Sequence, residues 1–292
     1  RIKLSGGGRP CQLAGDVALE AREFRVLDHA WKGYRPGEPA VLDLARARVE
    51  SPVRVDAEGI DLLGATVSAG AESLRAQGRL HFRDAGGFHL ALEGAADLSE
   101  LRHVAAVPMA GRAEISGTVR VALYGTPAVE ARVRSSAFRF LQLDLGELEA
   151  AVRFDRRLVL RVSEGSGQKG TTRYQAELDV DLGARPVRLD GGRLSARGRL
   201  RDLFDVVQPW LPGTRRVREA IDAQAVVTGA LSGPSDRLDA AFDARLGAGE
   251  LWGRPVESGL VQGRIEGSQP AVVDRGGLRR GGGHAGGRGR VG

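Results

Sequence analysis

The stretch Gly165-Ser166-Gly167-Gln168-Lys169-Gly170-Thr171-Thr172 holds the residue types of a phosphate loop: glycines that bare backbone N–H groups, a lysine for phosphate and hydroxyls for a metal ion. Their order is wrong for that chemistry. A phosphate loop places Gly before Lys, Ser or Thr directly after it, and a helix start at that point. Here Gly170 follows Lys169 and an alternating apolar run comes next, so the stretch reads as a hairpin turn. No G-x-S-x-G elbow occurs, and no histidine lies near a candidate serine nucleophile. The histidines stand at 29, 81, 89, 103 and 284. His81 and His89 are spaced to face each other across a hairpin and, with Cys11, would supply zinc donors. On a polar sheet face they read instead as solvated side chains. Asp179 and Asp181 sit two apart on an outward face rather than in a pocket. These residues point to no catalytic constellation, metal or cofactor, and the chain is expected not to be an enzyme.

The elements that carry these residues announce themselves by a two-residue period. Val119, Val121 and Leu123 alternate with Arg120 and Ala122, and Gly125, Thr126 and Pro127 interrupt. The alternation resumes at Val129, Ala131 and Val133, at Phe138 and Phe140, and at Leu158, Leu160 and Val162. It is longest at Tyr174, Ala176, Leu178, Val180 and Leu182, between which stand Gln175, Glu177, Asp179 and Asp181. One face of such a strand is apolar and the other faces water. The spacing of turn residues is that of hairpins laid side by side, so the chain is expected to be all-β: an elongated, curved antiparallel sheet of repeated hairpins. The same pattern predicts two short strands over 13–26 and further strands over 41–55, 60–67, 80–82 and 88–92. Pro52 suits an edge or a bulge. Two segments follow helical spacing instead. Leu98, Leu101 and Val104 predict one short helix, capped by Asp97 or Ser99, and Leu203, Val206 and Val207 predict another before Pro209 and Pro212. An echo links Leu123-Tyr-Gly125-Thr-Pro127 to Leu231-Ser-Gly233-Pro234, each followed by an alternating strand.

Composition narrows the function further. Only 5% of the 292 residues are aromatic while 42 are glycine, so few bulky side chains exist to fill a thick core. The net charge of +6 is uneven: Arg275, Arg279, Arg280, Arg288 and Arg290 fall after residue 274 without an acid among them. The preceding residues are therefore almost neutral. Lysine occurs only at 3, 32 and 169 and asparagine never, so the arginines reflect a GC-rich coding sequence and no nucleic-acid partner is expected. Nine of the last 18 residues are glycine. Residues 1–274 are expected to form a single elongated β-repeat region and 275–292 a disordered tail. The tail's Arg-Gly clusters are of the kind that bind RNA, with a truncated or frame-shifted end as the plainer reading. Cys11 is alone, so no disulfide forms within the chain, and no run of about 18 apolar residues spans a membrane. Lacking an initiator Met, the chain is expected to be an internal piece of a longer protein.

What remains is the apolar face. A sheet folded partly over leaves a dry groove suited to a hydrocarbon chain, each buried methylene contributing about 0.8 kcal/mol. Its expected lining is Val119, Val121, Leu123, Phe138, Phe140, Leu158, Leu160, Val162, Ala176, Leu178, Val180 and Leu182. The alternative is a structural β-solenoid or stalk with a sealed core and no lipid cargo.

The runs Ser116-Gly117-Thr-Val-Arg-Val-Ala-Leu-Tyr-Gly125-Thr-Pro127 and Phe138-Arg-Phe-Leu-Gln-Leu-Asp-Leu-Gly146-Glu-Leu, then Tyr174 onward, resemble the repeating region of the AsmA/TamB family. So do Leu231-Ser-Gly-Pro234 and Leu251-Trp-Gly253-Arg-Pro255-Val-Glu-Ser-Gly259, the likeness covering roughly residues 10 to 270. The resemblance implies a β-taco groove in the periplasm of the cell envelope, tied to the inner membrane through an upstream helix. It implies a role in phospholipid transport toward the outer membrane and in outer-membrane protein assembly and secretion. Implied partners are phospholipid acyl chains, both membranes and an outer-membrane β-barrel assembly protein.

Overall fold

In a computed structural model the structure describes residues 2–8, 12–26, 42–69, 72–82, 87–100, 109–122, 128–140, 143–154, 159–181, 184, 186–207, 221–267 and 271–291. These residues form an antiparallel sheet of 19 strands, with one 3-10 turn and one short α-helix as the helical elements among them. The all-β expectation holds. The chain's contacts divide into two compact units, Arg1–Ser136 with Ala151–Leu160 and Ala137–Ala150 with Arg161–Gly292, where the sequence suggests one repeat region followed by a tail.

The first unit is built on β1 (Ile2–Gly6), β2 (Leu13–Val26), β3 (Leu42–Val55), β4 (Gly59–Ala69), β5 (Glu72–His81), β6 (Gly87–Asp97), β7 (Met109–Ala110), β8 (Arg112–Ala122) and the start of β9 (Ala128–Phe140). Strands joined by short turns pair in sequence, so register follows from alternation: a slip of one residue would turn every apolar side chain to water. The outcome is a set of rungs. Leu13, Val55, Ile60, Leu80, Phe88 and Val121 are successive cross-strand partners, as are Leu19, Val49, Val67, Leu74, Gly94, Ile115 and Val133. Between them on the other face runs a polar rung of Arg54, Asp61, Arg79, His89 and Arg120.

Residues 13–26 form one strand rather than two, Glu23 marking the irregularity with a left-handed φ of 52°. Pro52 meets its expectation. It lies where the β3–β4 ladder shifts between Glu50 and Val53, against an extra residue in β4, so no bond is asked of its missing N–H. Of the helix expected from Asp97 to Val104, the described residues form a 3-10 turn, Leu98–Glu100, with Ser99 N–H donating to Asp97 Oδ1 at 2.8 Å. Leu101 and Val104 lie outside the described residues.

The second unit contains β12 (Thr172–Asp181), β13 (Arg188–Arg199), β14 (Ile221–Pro234), β15 (Asp239–Leu251), β16 (Arg254–Val256), β17 (Ser258–Ile265), β18 (Ala271–Arg280) and β19 (Gly283–Val291). The helix α1 (Leu200–Val207) follows β13 where its apolar spacing predicts it. Strands β9, β10 (Leu143–Phe154) and β11 (Val159–Lys169) contribute residues to both units. The echo between 123–127 and 231–234 corresponds to two hairpins, β8–β9 and β14–β15, although 123–127 lie outside the described residues.

The rungs recur here. Tyr174, Ala196, Val227, Ala244 and Val261 are successive partners, as are Ala176, Leu194, Gly229, Phe242, Gly263 and Val273. An extra residue in β13 relative to both neighbours is absorbed at Gly191, whose φ of +62° is left-handed backbone that glycine adopts without a Cβ clash. The extra residue shifts the alternation of β13 by one, so Leu189 and Leu194, five apart, both lie on the apolar side. Most of the tail 275–292, read from composition as disordered, lies in the β18–β19 hairpin, which spans 271–291 about a turn at Gly281–Gly282. Backbone pairing explains the difference: a ladder needs N–H and C=O groups, which glycine supplies as well as any residue, while composition reports only the lack of side chains to bury.

Candidate functional site

The phosphate-loop lookalike is held shut by its own neighbours. Lys169 Nζ lies 2.5 Å from Asp144 Oδ2, which pulls the Asp144 carboxyl below its ordinary pKa. Thr171 donates to Asp202 Oδ2 through both its backbone N–H and its hydroxyl at 2.8 Å. Desolvation pushes the Asp202 pKa up, but these bonds and that from Thr172 more than offset it and the net shift is down. Each cation or hydroxyl that would meet a phosphate thus has a protein partner, and a strand, not a helix, follows.

His81 pairs with Gly87 and His89 with Arg79, so the two histidines lie on diagonal positions of the β5–β6 ladder rather than opposite each other. Both are exposed. No group of three or more His, Cys, Asp or Glu able to hold a metal occurs among the described residues, and Cys11 lies outside them. Around His89 the polar face is organised by Arg79, whose Nη1 is 3.0 Å from both oxygens of Asp61 and whose Nη2 is 2.7 and 2.8 Å from those of Asp56. Asp56 also accepts the backbone N–H groups of Glu58 and Gly59, closing the β3–β4 turn.

The Arg79 bonds, then these N–H groups, hold Asp56 at a pKa of about 2, below its ordinary 3.8. A depressed folded pKa means that this tie is complete above pH 3.8 and is lost as the pH falls through about 2. Arg79→Gln is expected to move the Asp56 midpoint up toward 3.8, read from its carboxyl carbon in an NMR titration. An unmoved midpoint would show that the backbone bonds alone set it.

The apolar face is the remaining site. Its buried members include Ala65, Ala76, Ala113, Ala196 and Ala225, with Val53, Tyr174, Val180 and Leu189 among the larger ones. Other large side chains of the same rungs stay half-buried: Ile60, Leu80, Phe88, Leu90, Ile115 and Val133 in the first unit, Val227, Phe242 and Val261 in the second. Leu19 and Leu194 remain 52% and 42% exposed. A sheet packed against a second sheet buries such residues in a layer about 10 Å thick. Here their cross-strand neighbours are other apolar side chains and glycine of the same rungs, and Val227 also packs on the cluster that Leu200 joins. Around Leu194 the partners are Ala176 and Gly229, which leave a trough between taller side chains.

Of the residues expected to line a groove, Val119, Phe140, Leu160, Val162, Ala176 and Leu178 are half-buried, and Phe138 and Val180 buried. The Phe138 and Phe140 rings stack with centroids 6.3 Å apart. Val121 falls on the apolar rung opposite Phe88, while Leu123, Leu158 and Leu182 lie outside the described residues. The expected lining, drawn from 119–182, left out the equivalent rungs of β3 to β6, although the sequence predicts strands there. Their signal was the same alternation, in Val49, Val53, Val55 and Ile60.

One element does cover the face. From α1, Leu200 joins Ile221, Ala225 and Leu246 in one cluster, and Leu203 and Phe204 of the same helix pack against it, as do Val227, Leu251 and Leu278. Asp202, on the same helix, ties it to the β11–β12 turn through Thr171 and Thr172. Tyr174 closes the neighbouring rung, its hydroxyl 2.7 Å from the Glu147 carbonyl and 3.0 Å from that of Leu145; burial pushes its pKa up. No helix among the described residues is long and apolar enough to cross a membrane.

No protein-family model, curated protein or solved structure matches this chain.

Proposed function

We propose that this chain is a non-enzymatic segment of a cell-envelope protein that holds phospholipid acyl chains along the apolar face of its sheet. In this reading it resembles the AsmA/TamB proteins, lies in the periplasm on an inner-membrane anchor, and serves lipid transport between the membranes and outer-membrane protein assembly. The observation that supports it is the set of apolar rungs in which large side chains such as Leu80, Phe88, Ile115, Val133 and Phe242 stay half-buried beside alanine and glycine. Such a surface gains about 25 cal/mol for each Å² that a hydrocarbon chain removes from water, and it asks for no headgroup chemistry. The polar rungs on the reverse face, paired as in Arg79 with Asp56 and Asp61, keep that side in water.

Native mass spectrometry of protein purified in mild detergent from a Gram-negative host is expected to show co-purifying phospholipid, which delipidation removes and vesicles restore. Protein that carries no phospholipid and takes none from vesicles would instead support a stalk with a sealed face.

A further inference from the structure

Trp252 stands where a tryptophan does nothing for the fold. Leu251 and Arg254 are cross-strand partners, so Trp252 and Gly253 are the two residues of a tight hairpin turn, with φ of 49° and 68°. Both φ values are left-handed, the pattern of a type I′ turn, which favours Asn-Gly and disfavours a bulky side chain at its first position. Burial does not compensate, because Trp252 is 65% exposed, the most exposed of the large apolar side chains among the described residues. A residue held in an unfavourable backbone region and pointed at solvent implies a role outside the chain.

The turn is also presented firmly, and it stands forward of β18. Leu251, directly before it, packs on the cluster of Leu200, Ile221, Ala225 and Leu246. Ser258 pairs with Arg279, so Arg280 at the end of β18 is level with Glu257, three residues short of Arg254. At 3.4 Å per residue the Trp252 turn projects roughly 10 Å beyond that strand. Arg254 and Arg280 are exposed, and no acid pairs with either among the described residues. Indole prefers the boundary between hydrocarbon and headgroups, and uncompensated arginines beside it prefer an anionic surface. One indole exposes far less than the roughly 800 Å² per partner that a stable protein interface buries.

We propose that the Trp252–Gly253 turn is a membrane-surface anchor that inserts Trp252 into the interface of an anionic bilayer, with Arg254 and Arg280 on the headgroups. This goes beyond acyl-chain carriage and stands without it.

The test is partition of the full chain onto phosphatidylcholine vesicles with and without phosphatidylglycerol, followed by co-sedimentation and by quenching of tryptophan emission with brominated lipid. Binding is expected only where phosphatidylglycerol is present and to weaken with salt. Trp252→Asn suits the turn better than tryptophan, so it should keep or raise resistance to urea while lowering the partition coefficient about tenfold or more. Arg254→Gln and Arg280→Gln should each lower it about fivefold. Any phospholipid carried on the sheet face should remain in all three variants, which separates failure of this anchor from failure of acyl-chain binding. A chain that ignores anionic vesicles, or a folded Trp252→Asn protein that partitions like the parent, overturns the proposal.

Discussion

Leu189→Ala is expected to destabilise the second unit by about 3 to 5 kcal/mol, while Leu194→Ala, five residues along the same strand and on the same face, should cost about 1 kcal/mol or less. Leu189 is 0% exposed, enclosed between Val180 and Gly233 across the ladder and beside buried Val187. Truncating it removes a fully packed isobutyl group and leaves a cavity that the bulge at Gly191 is poorly placed to close, since its backbone already departs from the regular strand. Leu194 is 42% exposed and has only a methyl and a glycine opposite. Alanine there deepens an open trough, and water or a ligand fills it. Urea denaturation of the two variants therefore measures directly whether the face is covered in solution. Equal costs would mean that Leu194 is packed beneath something, and the acyl-chain reading would lose its main support.

Which of these residues the sequence reveals follows from what alternation encodes. It encodes the face on which a side chain lies, and so Tyr174, Ala176 and Val180 are placed correctly from their spacing alone. It does not encode depth. Alternation alone would put Leu189 and Leu194, five apart, on opposite faces; the bulge at Gly191 brings them to one face and the size of their cross-strand partners sets their different depths, neither of which a local window contains. Pro52 and α1 are legible because each carries its own physical signature, a missing N–H in one case and a period near 3.6 in the other. The β18–β19 hairpin was hidden for the opposite reason, since a run of Gly and Arg has no face to reveal. Asp179 marks a further limit. Alternation sends it to solvent, yet Arg161 Nε approaches its carboxylate at 3.1 Å, an ion pair between residues 18 apart. That pair is exposed and contributes little, about 0 to 1 kcal/mol.

Leu178→Arg should leave the chain folded and strip it of bound phospholipid, whereas Val180→Arg, two residues away on the same face, should unfold the second unit. The contrast rests on depth. Val180 is 3% exposed and sits opposite Leu189, so a guanidinium there would be buried with no carboxylate to meet it, which no nearby packing offsets. Leu178 is half-buried, with Cδ1 3.1 Å from the point a Cβ on Gly192 would occupy, so it roofs the glycine of the neighbouring strand and keeps part of its surface in water. An arginine in its place lays its methylene stem over Gly192 and reaches water with its head, as long cationic side chains do on apolar surfaces. The fold survives, but a charged group now crosses the path of a hydrocarbon chain along the face. Losing contact with about two methylenes at 0.8 kcal/mol each lowers phospholipid occupancy roughly tenfold. Glu177→Gln, on the polar side of the same strand, should change neither occupancy nor stability measurably and serves as the control. Circular dichroism reads the fold and mass spectrometry the bound phospholipid. A folded Leu178→Arg protein with undiminished phospholipid would remove this face from the path of the acyl chain.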